Sequence, residues 1–167
     1  MRWLRLMLLL ASAASATAAT FTWTGAAGDG AFSNPANWSG GIAPAQDGTA
    51  TVVFTDNGAG VIRLPTNANL GQIQFQNTTA TQYELVSTGV SVLTLQNGVT
   101  ASGGGSSTFA AGVTVKLPTS QRIAVASGNI EFDGAIVGSG SLEKTGAGTL
   151  RIAGINTLTG GLTDNAG

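Results

Sequence analysis

Glu131 and Asp133 are the residues of this chain best placed to do acid–base chemistry. They stand two apart, so on a strand both side chains leave the same face, ~7 Å apart at ~3.3 Å per residue. Paired carboxylates at that spacing suit a glycosidase, or a Ca²⁺-dependent lyase acting on polysaccharide. A lyase also needs a base beside the acids. Lys116, Arg122, Lys144 and Arg151 are thinly scattered, with none paired to them by sequence position. The plainer reading is two solvated strand charges, and it is preferred. The chain has no His and no Cys. That removes the usual general base, the Ser-His triads, thiolate metal sites and disulfides. Asp29 in Gly28-Asp29-Gly30 and Asp56 before Asn57-Gly58 look like fragments of calcium loops. Neither is followed by the ligands such a loop requires, so both read as Asx turns. Gly138-Ser139-Gly140 precedes no Lys-Ser/Thr phosphate loop. No catalytic, cofactor-binding or metal-binding residue is assigned, and the chain is read as non-enzymatic.

What must position these residues is a chain of short strands. Charged residues make up 9% of the 167 positions, against about 25% in a typical soluble domain. Hydrophobic residues reach 43%, too many for a disordered tail. Inward pairs with period-two alternation recur about every ten residues: Ile62/Leu64, Ile73/Phe75, Tyr83/Leu85, Leu93/Leu95, Val113/Val115, Ile123/Val125, Ile130/Phe132 and Leu150/Ile152. Gly-rich turns separate them, at Asn57-Gly58, Asn97-Gly98, Gly103 to Gly105 and Ser127-Gly128-Asn129. Gln72, Gln74 and Gln76 flank Ile73 and Phe75 and point outward. The class is all-β with little helix. Periodicity alone leaves two architectures open: a β-helix with two to three strands per coil, or an antiparallel β-sandwich.

Two further segments stand apart. Arg2 and Arg5 precede an apolar run, Leu6 to Ala11, and Ala14-Ser15-Ala16 or Ala16-Thr17-Ala18 offers a cleavage site. Residues 1–18 therefore read as a cleaved Sec-type signal peptide, the apolar run being too short to span a bilayer. The net charge of −1 becomes −3 once Arg2 and Arg5 are gone, five basic against eight acidic residues. Such a chain has nothing to attract nucleic acid or anionic lipid, and no second apolar stretch to cross a membrane. Residues 19–54 form a turn-rich opening segment holding Trp23 and Trp38. It reads as a cap over the first coil, with an aromatic carbohydrate-binding platform as the rival.

The run from Gly138 to Gly167, GSGSLEKTGAGTLRIAGINTLTGGLTDNAG, decides between the architectures. It resembles the autotransporter-associated β-strand repeat, or passenger-associated transport repeat, of large exported bacterial proteins. The residues in register are Gly138, Gly140, Leu142, Lys144, Gly146, Gly148, Thr149, Leu150, Ile152, Gly154, Asn156, Thr157, Thr159, Gly160 and Gly161, with Ala166 and Gly167 beyond. Leu158, Leu162 and Asp164 depart from the pattern. The resemblance implies a right-handed parallel β-helix, with coils over 55–167 and the repeat at 138–167. It further implies a secreted or cell-surface, adhesin-like structural protein of a Gram-negative-type bacterium, in which the repeat assists export and folding. The chain then reads as the front end of a longer protein whose last coil, uncapped, favours self-association. A carbohydrate-binding or polysaccharide-active β-helix module is the alternative, and a glycan or host-surface ligand stays unspecified.

Overall fold

The computed structural model describes residues 18–58 and 60–165. The signal peptide expected over 1–18, save Ala18, and the repeat positions Ala166 and Gly167 lie outside the described residues. Strands follow one another in coils. The chain begins with β1 (Thr20–Thr22), and the first coil is β2 (Thr51–Phe54), β3 (Gly60–Leu64) and β4 (Asn67–Leu70). The second is β5 (Gln72–Phe75), β6 (Gln82–Ser87) and β7 (Ser91–Leu95). The third is β8 (Val99–Ala101), β9 (Ser106–Phe109) and β10 (Val113–Lys116). The fourth is β11 (Gln121–Val125), β12 (Asn129–Phe132) and β13 (Ile136–Gly138). The fifth is β14 (Leu142–Thr145), β15 (Thr149–Ile152) and β16 (Thr157–Leu158), and β17 (Leu162–Asn165) opens a sixth. A single 3-10 turn, Pro35–Asn37, is the only helical element among the described residues.

Each strand pairs in parallel with its counterparts in neighbouring coils. Three sheets result: a first of seven strands, β1-β2-β5-β8-β11-β14-β17; a second, β3-β6-β9-β12-β15; and a third, β4-β7-β10-β13-β16. Partners within the coils lie from 20 residues (Leu142 opposite Leu162) to 26 (Ile73 opposite Val99) apart in sequence, and β1 joins β2 across 31 (Thr20 opposite Thr51). This is a parallel β-solenoid with three strands per coil. The sandwich alternative required antiparallel neighbours and is overturned by this pairing.

The alternation in the sequence explains the core. Inward side chains stack in columns that run through the coils: Ile62, Leu85, Phe109 and Phe132 on the second sheet, Ala68, Leu93, Val115 and Ile136 on the third. All eight are buried. Phe109 and Phe132 stack with ring planes nearly parallel and centroids 4.5 Å apart, Phe54 and Phe75 at 5.2 Å. Burying each such large apolar side chain contributes roughly 1.5–3 kcal/mol, so a coil gains its stability from the coil beside it. Of the inward pairs read from the sequence, Leu150/Ile152 alone is only half-buried, because it belongs to the fifth coil with only β17 beyond. Gly58, Gly98, Gly104 and Gly128 take positive φ at the expected turns.

Candidate functional site

Three places hold the polar and aromatic residues that could carry function: the second sheet's outer face, the N-terminal segment, and the last coils. On the outer face one register column runs Val61, Glu84, Thr108, Glu131, Arg151. The stacking brings Arg151 directly against Glu131, and its Nη1 also sits 3.1 Å from Asp133 Oδ1. Sequence position had left the four basic residues unpaired, and for Arg151 that is corrected. A register of twenty residues makes the contact, and no local pattern reveals it. Both acids are partly exposed, so the pairing adds ~0–1 kcal/mol of stability. The guanidinium bridges one oxygen of each carboxylate, Glu131 Oε1 and Asp133 Oδ1. Farther along the same face, Gln82, Glu84, Ser106 and Thr108 line a shallow depression of about 300 Å³.

The N-terminal segment is built around its aromatics. Trp23 and Trp38 are each 2% exposed and meet edge-to-face at 5.0 Å, with Phe32 edge-on to Trp38 at 4.9 Å. Their indole N–H groups donate inward, Trp23 Nε1 to Gly58 O (2.8 Å) and Trp38 Nε1 to Phe32 O (2.7 Å). Neither ring is available as a sugar-stacking platform. The rings lie over Phe54, and Phe54 packs on Tyr83, so the segment closes the core's first end. It also pairs the free strand edges there. Arg63 N donates to Gly30 O and Phe32 N to Arg63 O along β3, Gly48 N reaches Asn69 O on β4, and Ser39 N reaches Thr22 O on β1.

Asp29 anchors this cap. Its carboxylate accepts from Ala31 N, Asn34 Nδ2 and Asn37 Nδ2, at 2.9, 2.7 and 2.6 Å. The Asn34 amide, then the Ala31 N–H and the Asn37 amide, hold its carboxyl below the ordinary value of 3.8. A carboxylate surrounded by amide donors is an Asx-turn hub, as the sequence suggested, with its acceptor sites already taken. Asn37 is fully buried and accepts Ala27 N at 2.9 Å. Asp56 differs from its expected Asx turn. Its Oδ1 accepts Thr78 N (2.7 Å) and Thr78 Oγ1 (3.1 Å) from the next coil, and that backbone N–H holds its carboxyl low.

The repeat residues occupy defined stations in the last coils. Leu142 and Lys144 point inward from β14, and Lys144 is only 7% exposed. Its column is Ile73, Val99, Ile123, Lys144, Asp164, so a charged side chain continues an apolar stack. Lys144 Nζ donates to Gly146 O (2.6 Å) and lies 3.8 Å from Asp164 Oδ1. Asp164, a departure from the repeat pattern, is thus the charge facing that lysine. Thr149, Leu150 and Ile152 form β15, and Thr157 begins β16. Asn156 Oδ1 accepts Ile136 N one coil back at 2.7 Å, while its Nδ2 donates to Gly154 O. Gly138, Gly140, Gly148, Gly154 and Gly160 lie so close to the preceding coil that an added Cβ would meet it within 2.5 Å, and Thr159 N donates to Gly138 O. Gly146 and Gly161 turn corners at φ +85° and +84°.

Fold and ends together define the class: a parallel β-solenoid with an aromatic cap over its first coil. No known protein family, curated protein or solved structure matches the chain.

Proposed function

We propose that this chain is an exported β-solenoid of the autotransporter-passenger type, a structural and adhesive element of the cell surface without catalysis of its own. One observation carries the reading. The residues on which the resemblance to the passenger-associated repeat rests each hold a station in the stack, Leu142 buried in the core, Gly146 at a corner and Asn156 bridging two coils, and this supports the reading. Their spacing suits coil stacking, as a repeat built of rungs would require. The outward columns add support, carrying Thr, Gln and Asn, such as Gln74, Thr100, Thr145 and Asn165 in one column of the first sheet. Side chains of this kind bond along a strand, as Gln74 Nε2 does to Gln72 Oε1, and between coils, as Gln96 Nε2 does to Asn69 Oδ1, and suit a wetted surface.

Export is tested by expressing the full chain in a Gram-negative host and determining the N-terminus of the product recovered outside the cytoplasm. Cleavage after Ala16 or Ala18, with the product accessible to protease on intact cells, is the expected result. A product retaining Met1 in the cytoplasm refutes the export reading. Adhesion is tested separately, by binding of the purified chain to immobilised host-surface material, and no binding above background refutes that part.

A further inference from the structure

The chain holds two Asn-Gly pairs, Asn57-Gly58 and Asn97-Gly98, and the fold treats them differently. Asparagine before glycine is chemically labile, because no Cβ shields the glycine nitrogen from the neighbouring side-chain amide. Asn97-Gly98 is clamped between coils. Only residues 96–98 separate β7 from β8. Asn97 N donates to Gly71 O at 2.7 Å, Gly98 O accepts Ile73 N, and Gly98 is buried. Gly98 also packs on the fourth coil so closely that a Cβ there would stand 2.1 Å from Arg122 O. Asn57-Gly58 lies instead in the longer loop between β2 and β3, with Asn57 exposed and Gly58 half-buried. Asn57 N makes only a 3.3 Å bond to Thr55 Oγ1. Neither the Asn57 side-chain amide nor Gly58 N has a hydrogen-bond partner among the described residues.

The same pair carries contacts of the cap. Trp23 Nε1 donates to Gly58 O at 2.8 Å, and the Tyr83 hydroxyl reaches Asn57 O at 3.3 Å. Gly58 has φ +93°, and a Cβ there would stand 2.3 Å from Thr24 O, so the position admits only glycine. From this we propose that Asn57 is a site of spontaneous deamidation and backbone isomerisation, and that its conversion loosens the cap. Gly58 N, having lost its proton to hydroxide, attacks Asn57 Cγ; a cyclic imide forms and the side-chain nitrogen leaves as ammonia. Water then adds to one of the two imide carbonyls and breaks its bond to nitrogen. Opening at Cγ gives aspartate, and opening at the main-chain carbonyl gives isoaspartate. Either product adds a negative charge beside Asp56. Isoaspartate also lengthens the main chain by one methylene just ahead of Gly58, where Trp23 docks and Thr24 leaves no room. The inference does not depend on export or adhesion.

The test is peptide mapping by mass spectrometry after incubation of the purified chain at mildly alkaline pH, once folded and once in urea. In the folded chain Asn57 should convert at least tenfold faster than Asn97. In urea, where no coil protects either pair, the two rates should converge. Folded chain that has converted at Asn57 should unfold at a lower urea concentration than fresh chain. Asn57→Ser, incubated alongside, should keep its midpoint. Equal conversion of Asn57 and Asn97 in the folded chain overturns the site, as does an Asn57 that reacts only in urea. An unchanged midpoint after conversion overturns the loosening of the cap, and so does an equal fall in Asn57→Ser.

Discussion

Tyr83 is the single tyrosine of the chain, so its ionisation can be followed without ambiguity. Its ring is 2% exposed, packed against Phe54 at 5.1 Å, and its hydroxyl donates to Thr55 O at 2.5 Å and Asn57 O at 3.3 Å. Burial first, and the nearby Asp56 carboxylate second, raise its pKa from 10.0 to about 12. That difference corresponds to roughly 2.7 kcal/mol by which the fold favours the neutral phenol. Because the folded value is the higher one, this stability is fully present below pH 10 and is lost as pH rises from 10 through about 12. Near-ultraviolet absorption of tyrosinate, recorded beside circular dichroism, should show little ionisation near pH 10, and ionisation should coincide with unfolding. Tyr83→Phe should cost ~1 kcal/mol at neutral pH, through the lost hydrogen bond, and flatten the alkaline arm of the stability profile. Reversible titration at the ordinary tyrosine pKa with the coils intact would refute the placement of Tyr83 beneath the cap.

Other positions make sharp tests. Gly146 has φ +85°, and a Cβ there would stand 2.4 Å from Val125 O, so Gly146→Ala should cost at least ~2 kcal/mol in urea unfolding. An effect below a few tenths would remove the corner from the account. Ser107 Oγ is buried with no hydrogen-bond partner among the described residues, and Ser107→Ala should be neutral or stabilise by up to ~1 kcal/mol. Clear destabilisation would mean that the hydroxyl is satisfied after all. Asp29, Asp47 and Asp56 are lowered from 3.8, chiefly by the Asn34 amide, the Thr49 side chain and the Thr78 N–H respectively. Depressed values mean stability that is complete above 3.8 and lost as pH falls through the folded values. The urea midpoint should therefore hold from neutral pH down to about 5 and drop below about 4, less so in Asp56→Asn.

The alternation of Ile73/Phe75 or Ile130/Phe132 was legible because period two is a property of one strand, and burial followed it faithfully. The same parity put Lys144 beside Leu142 on the inward face, yet its charge led it to be grouped with surface bases. Only the next coil, which supplies Asp164, makes an inward lysine intelligible. Whatever depended on register between coils was invisible for the same reason. Arg151 against Glu131, Asp56 reaching Thr78 and Asn156 reaching Ile136 span 20 to 22 residues of irregular coil, and no local window fixes that offset. In the third sheet Leu93/Leu95 and Val113/Val115 were read from the sequence, while β4, β13 and β16 were missed. Strands such as β16 (Thr157–Leu158) are two residues long and too short to show a period. The tryptophans could be read as buried because they stood among turns that needed something to pack on. How they seal three sheet edges appears only in the backbone pairing of Gly30, Ser39 and Gly48.

The stack itself can be measured directly. The chain has no cysteine, so spin labels can be placed in pairs on the outward column of the first sheet. Gln74 and Asn165 stand on β5 and β17, which the sheet order separates by four steps. At ~4.8 Å per step the backbones lie about 19 Å apart, twice the separation of Gln74 and Ala124. Electron–electron distances that double in this way support the solenoid. Distances that do not scale with the number of coils contradict it.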